Sequence, residues 1–418
     1  MGDMTVRAAR KVGDPDVSSD LGWLARLLWG PDACVQIVGA GFDAPAGSER
    51  FALVGGVARP RFLIPLASRR AAVASLRAYN PLRAPVTRAL RGGLAAAIRL
   101  GADRIWVRDH LLVDSGSARA TSLLEELCRI LGRADLTFAV GVGAAGPSRK
   151  PTLQVFSEEG TPVAFVKVGW SEFTRNLVGG EVTALRAVTR SAAVGVVHAP
   201  ALLYAGRWND LELAVAAPLP RRVQRHRPGN ATPLEATLEI AQLDGPMTTT
   251  PLAESGYVHG LRNRLQETVS DHGSEELALQ ALDAIVERAG ERPLTVGTWH
   301  GDWTPWNLAW EGDRLWIFDW EHFGRAPLGF DVLHYVFATE FFGRRKTPDQ
   351  AAAALRREGV PRSVGVGVPA SLSPWLADLY LLELLARSLR ARRDGAGVNP
   401  RLLPALFTTI DAAMRRPH

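Results

Sequence analysis

The chain has 418 residues with 47% hydrophobic and 22% charged side chains, a composition typical of a soluble globular protein long enough for two or three domains. It contains no apolar run of the roughly 20 residues that a membrane-spanning helix needs, and its start lacks the apolar core of a signal peptide. Cys34 and Cys128 have no metal-site spacing and are too few for a disulfide framework, so we expect a cytoplasmic protein.

The formal net charge of +6 raises the question of nucleic-acid binding. Of the 49 basic residues only four are lysine, and the arginines are scattered through alanine-rich segments instead of forming a stripe interleaved with aromatic residues. We therefore favour an arginine-rich solvated surface over a nucleic-acid interface. The scarcity of lysine also makes a lysine inside an apolar strand conspicuous.

Residues 1–132 form an N-terminal region in which "RFALVGG", "PRFLIPL" and "ASRRAAVASLRAY" predict a strand, a strand and a helix. Pro81 and Pro85 then interrupt the pattern. In outline this unit is similar to the segment that follows it, with Pro65 near the place of Lys167. Two interpretations stay open: a degenerate copy that acts as a cap or specificity element, or an ordinary β-β-α unit.

Residues 136–220 predict a small antiparallel sheet with one helix. The strand-like runs are "LTFAVGVG", "PTLQVFSEEG", "TPVAFVKVG", "LLYAG" and "LELAVAAPLP", and the helical run is "GGEVTALRAVTR". Residues 221–418 predict a helical region with a loop-rich centre at 294–330. The expected fold is α+β and bilobal, with a small β lobe, a larger helical lobe and an extra N-terminal α/β region.

The loop-rich centre contains the residues that suggest chemistry. Asp302 and Asn307 lie in "HGDWTPWN", and Asp319 ends the strand-like "RLWIFD". "NLAWEG" and "RLWIFD" predict two short strands around a Gly312-Asp313 turn, which brings Asn307 and Asp319 to the same end of the ribbon. An amide oxygen and a carboxylate suit Mg²⁺, and Asp302 is placed to accept a proton from a hydroxyl that attacks phosphate.

The spacing H-x-D-x-x-x-x-N, followed by a strand-end aspartate, is that of the kinase catalytic loop and its metal-binding aspartate. Two further kinase parts are expected upstream, and Lys167 on the third strand and Glu181 on the next helix match them. The turn "GVGAAGPSRK" is placed to cover phosphates, with backbone N–H groups at Gly141 and Gly143 and the Ser148 side chain as candidate contacts.

"HGDWTPWN" and "FDWEHFGRAPLGFDVLH" together resemble the aminoglycoside phosphotransferase-like kinases, which include choline kinases and have a protein kinase-like fold. The resemblance covers residues 136–400 and is strongest at 296–336. It implies ATP and Mg²⁺ as cofactors. The glycine turn departs from the G-x-G-x-x-G pattern, which leaves the phosphate contacts open.

The resemblance also implies a role for each matching residue. Asp302 would be the catalytic base, and Asn307 and Asp319 would hold Mg²⁺. Lys167 would contact the α- and β-phosphates and pair with Glu181.

Further residues are expected to support the loop or to contact the adenine and the acceptor. Asp331 would buttress the loop, and the adenine would bind the backbone near Val215 and Ala217. For the acceptor we expect contacts from Trp303, which directly follows the base, and from Glu321. Six of the twelve tryptophans lie near this loop, and we expect a division of roles in which Trp306 braces the metal ligand Asn307 whereas Trp303 looks into the cleft.

The sequence therefore predicts an ATP-dependent phosphotransferase acting on a hydroxyl of a small molecule: a sugar, an aminoglycoside-like antibiotic or another metabolite. A nucleotide-binding pseudokinase with a regulatory role is the alternative, disfavoured because the expected catalytic residues are all present. A protein kinase is disfavoured by the missing D-F-G and A-P-E signatures. The acceptor, the choice of ATP or GTP and the oligomeric state stay open.

Overall fold

The computed structural model describes most of the chain: residues 10–11, 19–30, 33–43, 45, 48–79, 82–101, 107–114, 122–143, 149–191, 195–227, 230–267, 274–395 and 398–414. These residues form two compact units. The β-rich unit consists of Met1–Ala145, Arg149–Val178 and Leu202–Arg221, and the helical unit consists of Gly146–Ser148, Gly179–Ala201 and Arg222–His418.

The strands of the described residues are, in chain order, β1 (Arg10–Lys11), β2 (Cys34–Gly39), β3 (Glu49–Val54), β4 (Phe62–Pro65), β5 (Asp109–Asp114), β6 (Leu136–Gly141), β7 (Thr152–Ser157), β8 (Pro162–Gly169), β9 (Val197–His198), β10 (Leu202–Trp208), β11 (Leu211–Ala216), β12 (Gln224–Arg225), β13 (Thr248–Pro251), β14 (Pro293–Trp299), β15 (Leu308–Glu311), β16 (Arg314–Ile317) and β17 (Gly324–Pro327).

The helices are α1 (Ser19–Trp29), α2 (Arg69–Arg77), α3 (Pro85–Arg99), α4 (Leu123–Leu131), α5 (Glu172–Arg190), α6 (Leu234–Ala241), α7 (Gly256–Gln266), α8 (Ser274–Ala289), α9 (Phe330–Ala338), α10 (Pro348–Ala354), α11 (Val360–Val364), α12 (Ser373–Arg393) and α13 (Leu402–Met414). Wider π turns at Thr339–Gly343 and Leu355–Gly359 follow α9 and α10. Among the described residues, no helix is both long and apolar enough to cross a membrane.

A ten-stranded sheet forms the β-rich unit, in the order β1-β2-β5-β3-β4-β6-β7-β8-β11-β10. The antiparallel pairing of β4 with β6 joins the strands of residues 1–132 to those of residues 136–220. The predicted boundary between these two regions therefore lies inside one continuous sheet. The predicted β-β-α unit is present as β3, β4 and α2. A copy of the later segment would have β2, β3 and β4 side by side in the sheet, as β6, β7 and β8 are. Instead, β5 lies between β2 and β3, and this difference favours an ordinary β-β-α unit over a degenerate copy.

Each face of this sheet is covered by helices. On one face, α1 and α4 pack their leucines against alternate strand residues such as Val166 and Val215. On the other face, α2 and α3 pack against Ile64, Ala139 and Phe156. Local signals fix where two of these helices begin, since Ser68 caps α2 and a Ser122–Glu125 capping box begins α4.

The helical unit contains two small sheets, of order β12-β15-β16-β9 and β13-β14-β17, beside a large apolar core. That core is built mainly from α7, α8, α9, α12 and α13. The buried strand β14 leads directly into the "HGD" loop, and the β15–β16 hairpin follows it. The predicted α+β class is confirmed, and the helical unit holds the loop that the sequence analysis singled out.

Candidate active site

The backbone of the "HGD" loop is anchored by Asp331, the second residue of α9. Its two carboxylate oxygens accept hydrogen bonds from the backbone N–H of His300 at 2.8 Å and of Gly301 at 3.0 Å. Burial raises the pKa of Asp331 to about 6, and the two N–H donors oppose that rise. This geometry agrees with the buttressing role that the resemblance implies for Asp331.

His300 ties the loop to the strand end that precedes Asp319. Its Nδ1 accepts a hydrogen bond from the Asp302 N–H at 3.1 Å, and its Nε2 lies 3.3 Å from the carbonyl oxygen of Phe318. A neutral ring with its proton on Nε2 satisfies both contacts. Burial lowers the pKa of His300 to about 4, so the ring stays neutral at physiological pH.

Gly301 allows the loop to pack closely against its neighbours. Its φ is +80°, and an added Cβ would overlap the carbonyl oxygen of His322 and lie 2.7 Å from an Arg387 nitrogen. The Arg387 guanidinium donates to the Gly301 carbonyl at 2.8 Å and lies 4.4 Å from the centre of the Trp299 ring. Glu383 holds this guanidinium in turn, at 3.3 Å from its Nε. The position therefore requires glycine.

The Asp302 side chain is 29% exposed and held at both oxygens. His334 Nε2 lies 3.1 Å from Oδ1, and the Asn307 side-chain amide donates to Oδ2 at 2.8 Å. Tyr380 completes a chain, because its hydroxyl lies 2.9 Å from His334 Nδ1. In the neutral form of His334, the Tyr380 hydroxyl donates a hydrogen bond to Nδ1, and the Nε2–H donates a hydrogen bond to the Asp302 carboxylate. The carboxylate is therefore fixed in orientation while one edge still reaches solvent.

The Asn307 amide can be oriented from its partners alone. Its nitrogen lies 3.0 Å from the Asp302 carbonyl oxygen and 2.8 Å from the Asp302 carboxylate, and both of these groups only accept. The amide oxygen must therefore point the other way. It is available to a cation, although the Asn307 side chain as a whole is buried.

Asp319 follows directly after Phe318, the residue that faces Asn307 at the end of the β15–β16 hairpin. Leu308 pairs with Ile317, and the N–H of Phe318 donates to the Asn307 carbonyl at 3.2 Å. The predicted two-residue turn is present, since Glu311 pairs with Arg314. Asp319 itself has a φ of +70°, a left-handed conformation that is uncommon for a residue with a side chain. Such conformations cluster at functional sites.

Glu181 lies on α5 where this helix contacts the segment after Asp319. A Cβ added to Gly180 would lie 2.8 Å from the carbonyl oxygen of Glu321. The absence of a side chain at Gly180 thus lets the helix backbone approach that segment closely. Glu181 is buried and belongs to the helical unit, as do Asp302, Asn307 and Asp319.

The donor set fits a metal that arrives with its substrate. Within the described ranges, no group of three or more His, Cys, Asp or Glu side chains is arranged to hold a metal ion. Asn307 and Asp319 offer one amide oxygen and one carboxylate. Mg²⁺ commonly takes one or two protein ligands and completes its shell with phosphate oxygens and water.

The residues expected to bind the nucleotide belong mainly to the β-rich unit. Lys167 lies on β8, on the face opposite the buried Ala164, Val166 and Val168. Val215 is buried within β11 and pairs with Tyr204 on one side and Val166 on the other, and Ala217 directly follows that strand.

The glycine turn is described in part. Gly141 ends β6, and Gly143 has a φ of +77° with the Lys150 carbonyl 3.2 Å from an added Cβ. Ser148 lies outside the described residues.

The expectation that Trp303 faces the acceptor is wrong. The side chain is 0% exposed and packs edge-on against His300, with the ring centres 5.9 Å apart. The residue after Asp302 turns inward and fills the space beneath the loop, whereas Trp306 is the partly exposed tryptophan of the pair. Among the described residues, the Trp303 N–H has no hydrogen-bond acceptor. Glu321 is 14% exposed and its acceptor role stays a prediction.

The sequence analysis missed His334 and the polar side of α12. Tyr380, Glu383 and Arg387 lie three and four residues apart on a helix that is otherwise mostly buried and apolar. This spacing places them on one side of the helix, toward the loop. A polar stripe on a buried helix is the signal that could have identified them.

Comparison with known proteins gives a match at the level of a family. Residues 182–375 match the model described as "APH: Phosphotransferase enzyme family". The match includes the loop, the hairpin and α9, and it begins after Lys167 and Glu181. No curated protein matches this chain in sequence.

Solved structures give weaker similarities. An apo thermostable mutant of aminoglycoside phosphotransferase APH(4)-Ia is 16% identical, with a TM-score of 0.46 over 70% of this chain and 98% of that chain. A choline/ethanolamine kinase family protein from Mesorhizobium loti is 14% identical, with a TM-score of 0.42 over 70% and 95%. LicA in complex with AMP is 12% identical, with a TM-score of 0.46 over 70% and 96%.

The structural similarities are too low to support a statement about activity. The family match rests on the sequence itself and covers the segment in which the loop geometry was described. The resemblance predicted from "HGDWTPWN" and the following segment is thereby confirmed: residues 182–375, which contain both, match the phosphotransferase enzyme family.

Proposed function

We propose that the protein is a kinase that transfers the γ-phosphoryl group of ATP to a hydroxyl of a small molecule. A sugar, an aminoglycoside-like antibiotic or another hydroxylated metabolite would be the acceptor. The observation that carries the proposal is the setting of Asp302, whose carboxylate is held by His334 and Asn307 while one edge reaches solvent.

Asp302 would act as the general base. As the acceptor oxygen bonds to the γ-phosphorus, its proton passes to the Asp302 carboxylate, and the bond from phosphorus to the bridging oxygen of ADP breaks. A carboxylate oxygen that already accepts one hydrogen bond retains a second lone pair for this proton. His334 would keep the carboxylate facing the acceptor, so its role is one of positioning.

Asn307 and Asp319 would hold Mg²⁺, which neutralises charge on the β- and γ-phosphates when bound. The free amide oxygen of Asn307 and the left-handed backbone of Asp319 support this assignment. Lys167 would contact the α- and β-phosphates, with Glu181 as its partner.

The remaining nucleotide contacts would come from the β-rich unit. Gly141, Gly143 and Ser148 would cover the phosphates, and the backbone near Val215 and Ala217 would bind the base. In the helical unit, Glu321 would contact the acceptor.

A panel of hydroxylated metabolites and antibiotics, incubated with the protein, Mg²⁺ and ATP labelled at the γ-phosphate, tests the proposal. Label transferred to an acceptor by wild type, and reduced by roughly 10²–10⁴ in Asp302→Asn, is the expected result. Near-normal transfer by Asp302→Asn would remove Asp302 from the mechanism. ATP binding without transfer to any acceptor would favour the pseudokinase alternative instead.

A further inference from the structure

Tyr79 of the N-terminal region makes two contacts within the β-rich unit that its sequence position does not suggest. Its hydroxyl oxygen accepts a hydrogen bond from the backbone N–H of Leu219 at 2.9 Å. Its ring meets the ring of Phe165 edge-on, with the centres 4.9 Å apart. Tyr79 follows α2 and has a φ of +53°, a conformation that a bulky residue rarely adopts unless contacts hold it.

The Leu219 N–H is one of few backbone donors in its segment. Strand β11 ends at Ala216, and the next four residues are Ala217, Pro218, Leu219 and Pro220. Proline has no N–H, so only Ala217 and Leu219 can donate there. The proposed function binds the nucleotide base to the backbone near Val215 and Ala217. Leu219 lies two residues beyond Ala217, and its N–H already has Tyr79 as its acceptor.

Phe165 connects the same place to the lysine expected at the phosphates. It pairs with Ala216 across β8 and β11, next to the Ala217–Pro220 segment. Residues two apart on a strand share a face, so Phe165 and Lys167 lie on one side of β8, and the buried Ala164 and Val166 lie on the other. The Tyr79 ring therefore covers the lysine-bearing face at the end next to the Ala217–Pro220 segment.

We infer that Tyr79 occupies the base end of the nucleotide site and must leave the Leu219 N–H before a purine base can bind there. The inference rests on the proposed function. A phenol that accepts from a backbone N–H beside an aromatic ring offers this segment the same kinds of contact as a purine, namely an acceptor atom and a flat ring. The N-terminal region would thus compete with the nucleotide and set its affinity.

The test compares ATP affinity, by calorimetry with Mg²⁺, in wild type, Tyr79→Phe and Tyr79→Ala. Tyr79→Phe keeps the ring and loses the acceptor. We expect it to bind ATP about two- to tenfold more tightly, the equivalent of one net hydrogen bond, and Tyr79→Ala to bind more tightly still. Melting curves show whether each variant is folded.

Tyr204→Phe is the matched control. Tyr204 pairs with Val215 on β11 but packs on the opposite face of the sheet, so loss of its hydroxyl should leave ATP affinity unchanged.

The outcomes separate this inference from the proposed function. Equal or weaker ATP binding by folded Tyr79→Phe would overturn the inference about Tyr79. If the wild-type protein still transfers phosphoryl groups to an acceptor, the proposed function stands. If Tyr79→Ala is unfolded, the result with Tyr79→Phe decides alone. Failure of every folded variant, wild type included, to bind ATP would refute the proposed function and the inference together.

Discussion

Replacing His334 with leucine should slow phosphoryl transfer without weakening substrate binding. The substitution removes the contact of 3.1 Å between Nε2 and the Asp302 carboxylate. A hydrogen bond to a charged group contributes about 1.5–3 kcal/mol. If that energy orients the Asp302 base in the transition state but does not contribute to substrate binding, kcat should fall by roughly 10- to 150-fold.

The matched variant His334→Gln keeps a side-chain N–H donor in a similar volume, so part of the lost rate should return. Tyr380→Phe removes only the contact of 2.9 Å with Nδ1. The expected loss is then about two- to tenfold, because a neutral hydrogen bond is weaker.

Steady-state kinetics with the acceptor found by the panel, together with melting curves, provide the assay. The positioning role predicts a fall in kcat with little change in KM for ATP or acceptor, and partial recovery in His334→Gln. A purely structural role predicts lower melting temperatures and equal losses in His334→Leu and His334→Gln. A folded His334→Leu protein with kcat within about twofold of wild type would refute the reasoning.

Four further predictions concern the loop and its surroundings. Asp319→Ala should abolish Mg²⁺-dependent ATP binding because the phosphate charge is left without its metal. Titration of Asp319→Asn with ATP separates loss of the metal ligand from backbone strain, because asparagine tolerates the same left-handed backbone. Undiminished ATP binding in Asp319→Ala would remove Asp319 as a metal ligand. Gly301→Ala should lose most activity while remaining folded, since its Cβ collides with neighbouring backbone; full activity would show that the loop can shift freely. Trp303→Ala should cost about 3–5 kcal/mol of unfolding free energy, as for other buried tryptophans, and a melting curve unchanged from wild type would contradict its burial. The lowered pKa of His300, about 4, makes the free energy of unfolding fall as pH drops from 6.5 to 4. The raised pKa of Asp331, about 6, has the opposite effect as pH drops from 6 to 3.8. Denaturant titrations should therefore show His300→Gln gaining stability relative to wild type below pH 6, and parallel profiles for the two proteins would refute the lowered pKa of His300.

Much of the site could be predicted because its parts are close in sequence. Asp302, Asn307 and Asp319 lie within 18 residues, and a two-residue turn fixes the register that places the last two at the same end of the hairpin. The identity of each residue type then limits the chemistry. Local spacing was sufficient to predict the hairpin between Asn307 and Asp319.

Other features depend on contacts between distant segments and could not be predicted. His334 and Tyr380 reach Asp302 across 32 and 78 positions of sequence, through the packing of α9 and α12. The direction of Trp303 depends on how the loop lies over the core, which its neighbours in sequence do not specify. Likewise, neither Tyr79 nor Leu219 has a local pattern that indicates their contact.

The pairing of β4 with β6 has a consequence for whether residues 136–220 could fold without the N-terminal region. β6 is the first strand of the half of the sheet that carries Lys167, and its outer hydrogen-bonding edge is closed by Phe62 and Leu63. Removal of residues 1–132 would expose that edge together with the apolar surface of Ala139 and Phe156, which α2 and α3 now cover. Open apolar strand edges promote aggregation. The N-terminal region therefore covers a strand edge and an apolar surface that residues 136–220 would otherwise expose to solvent.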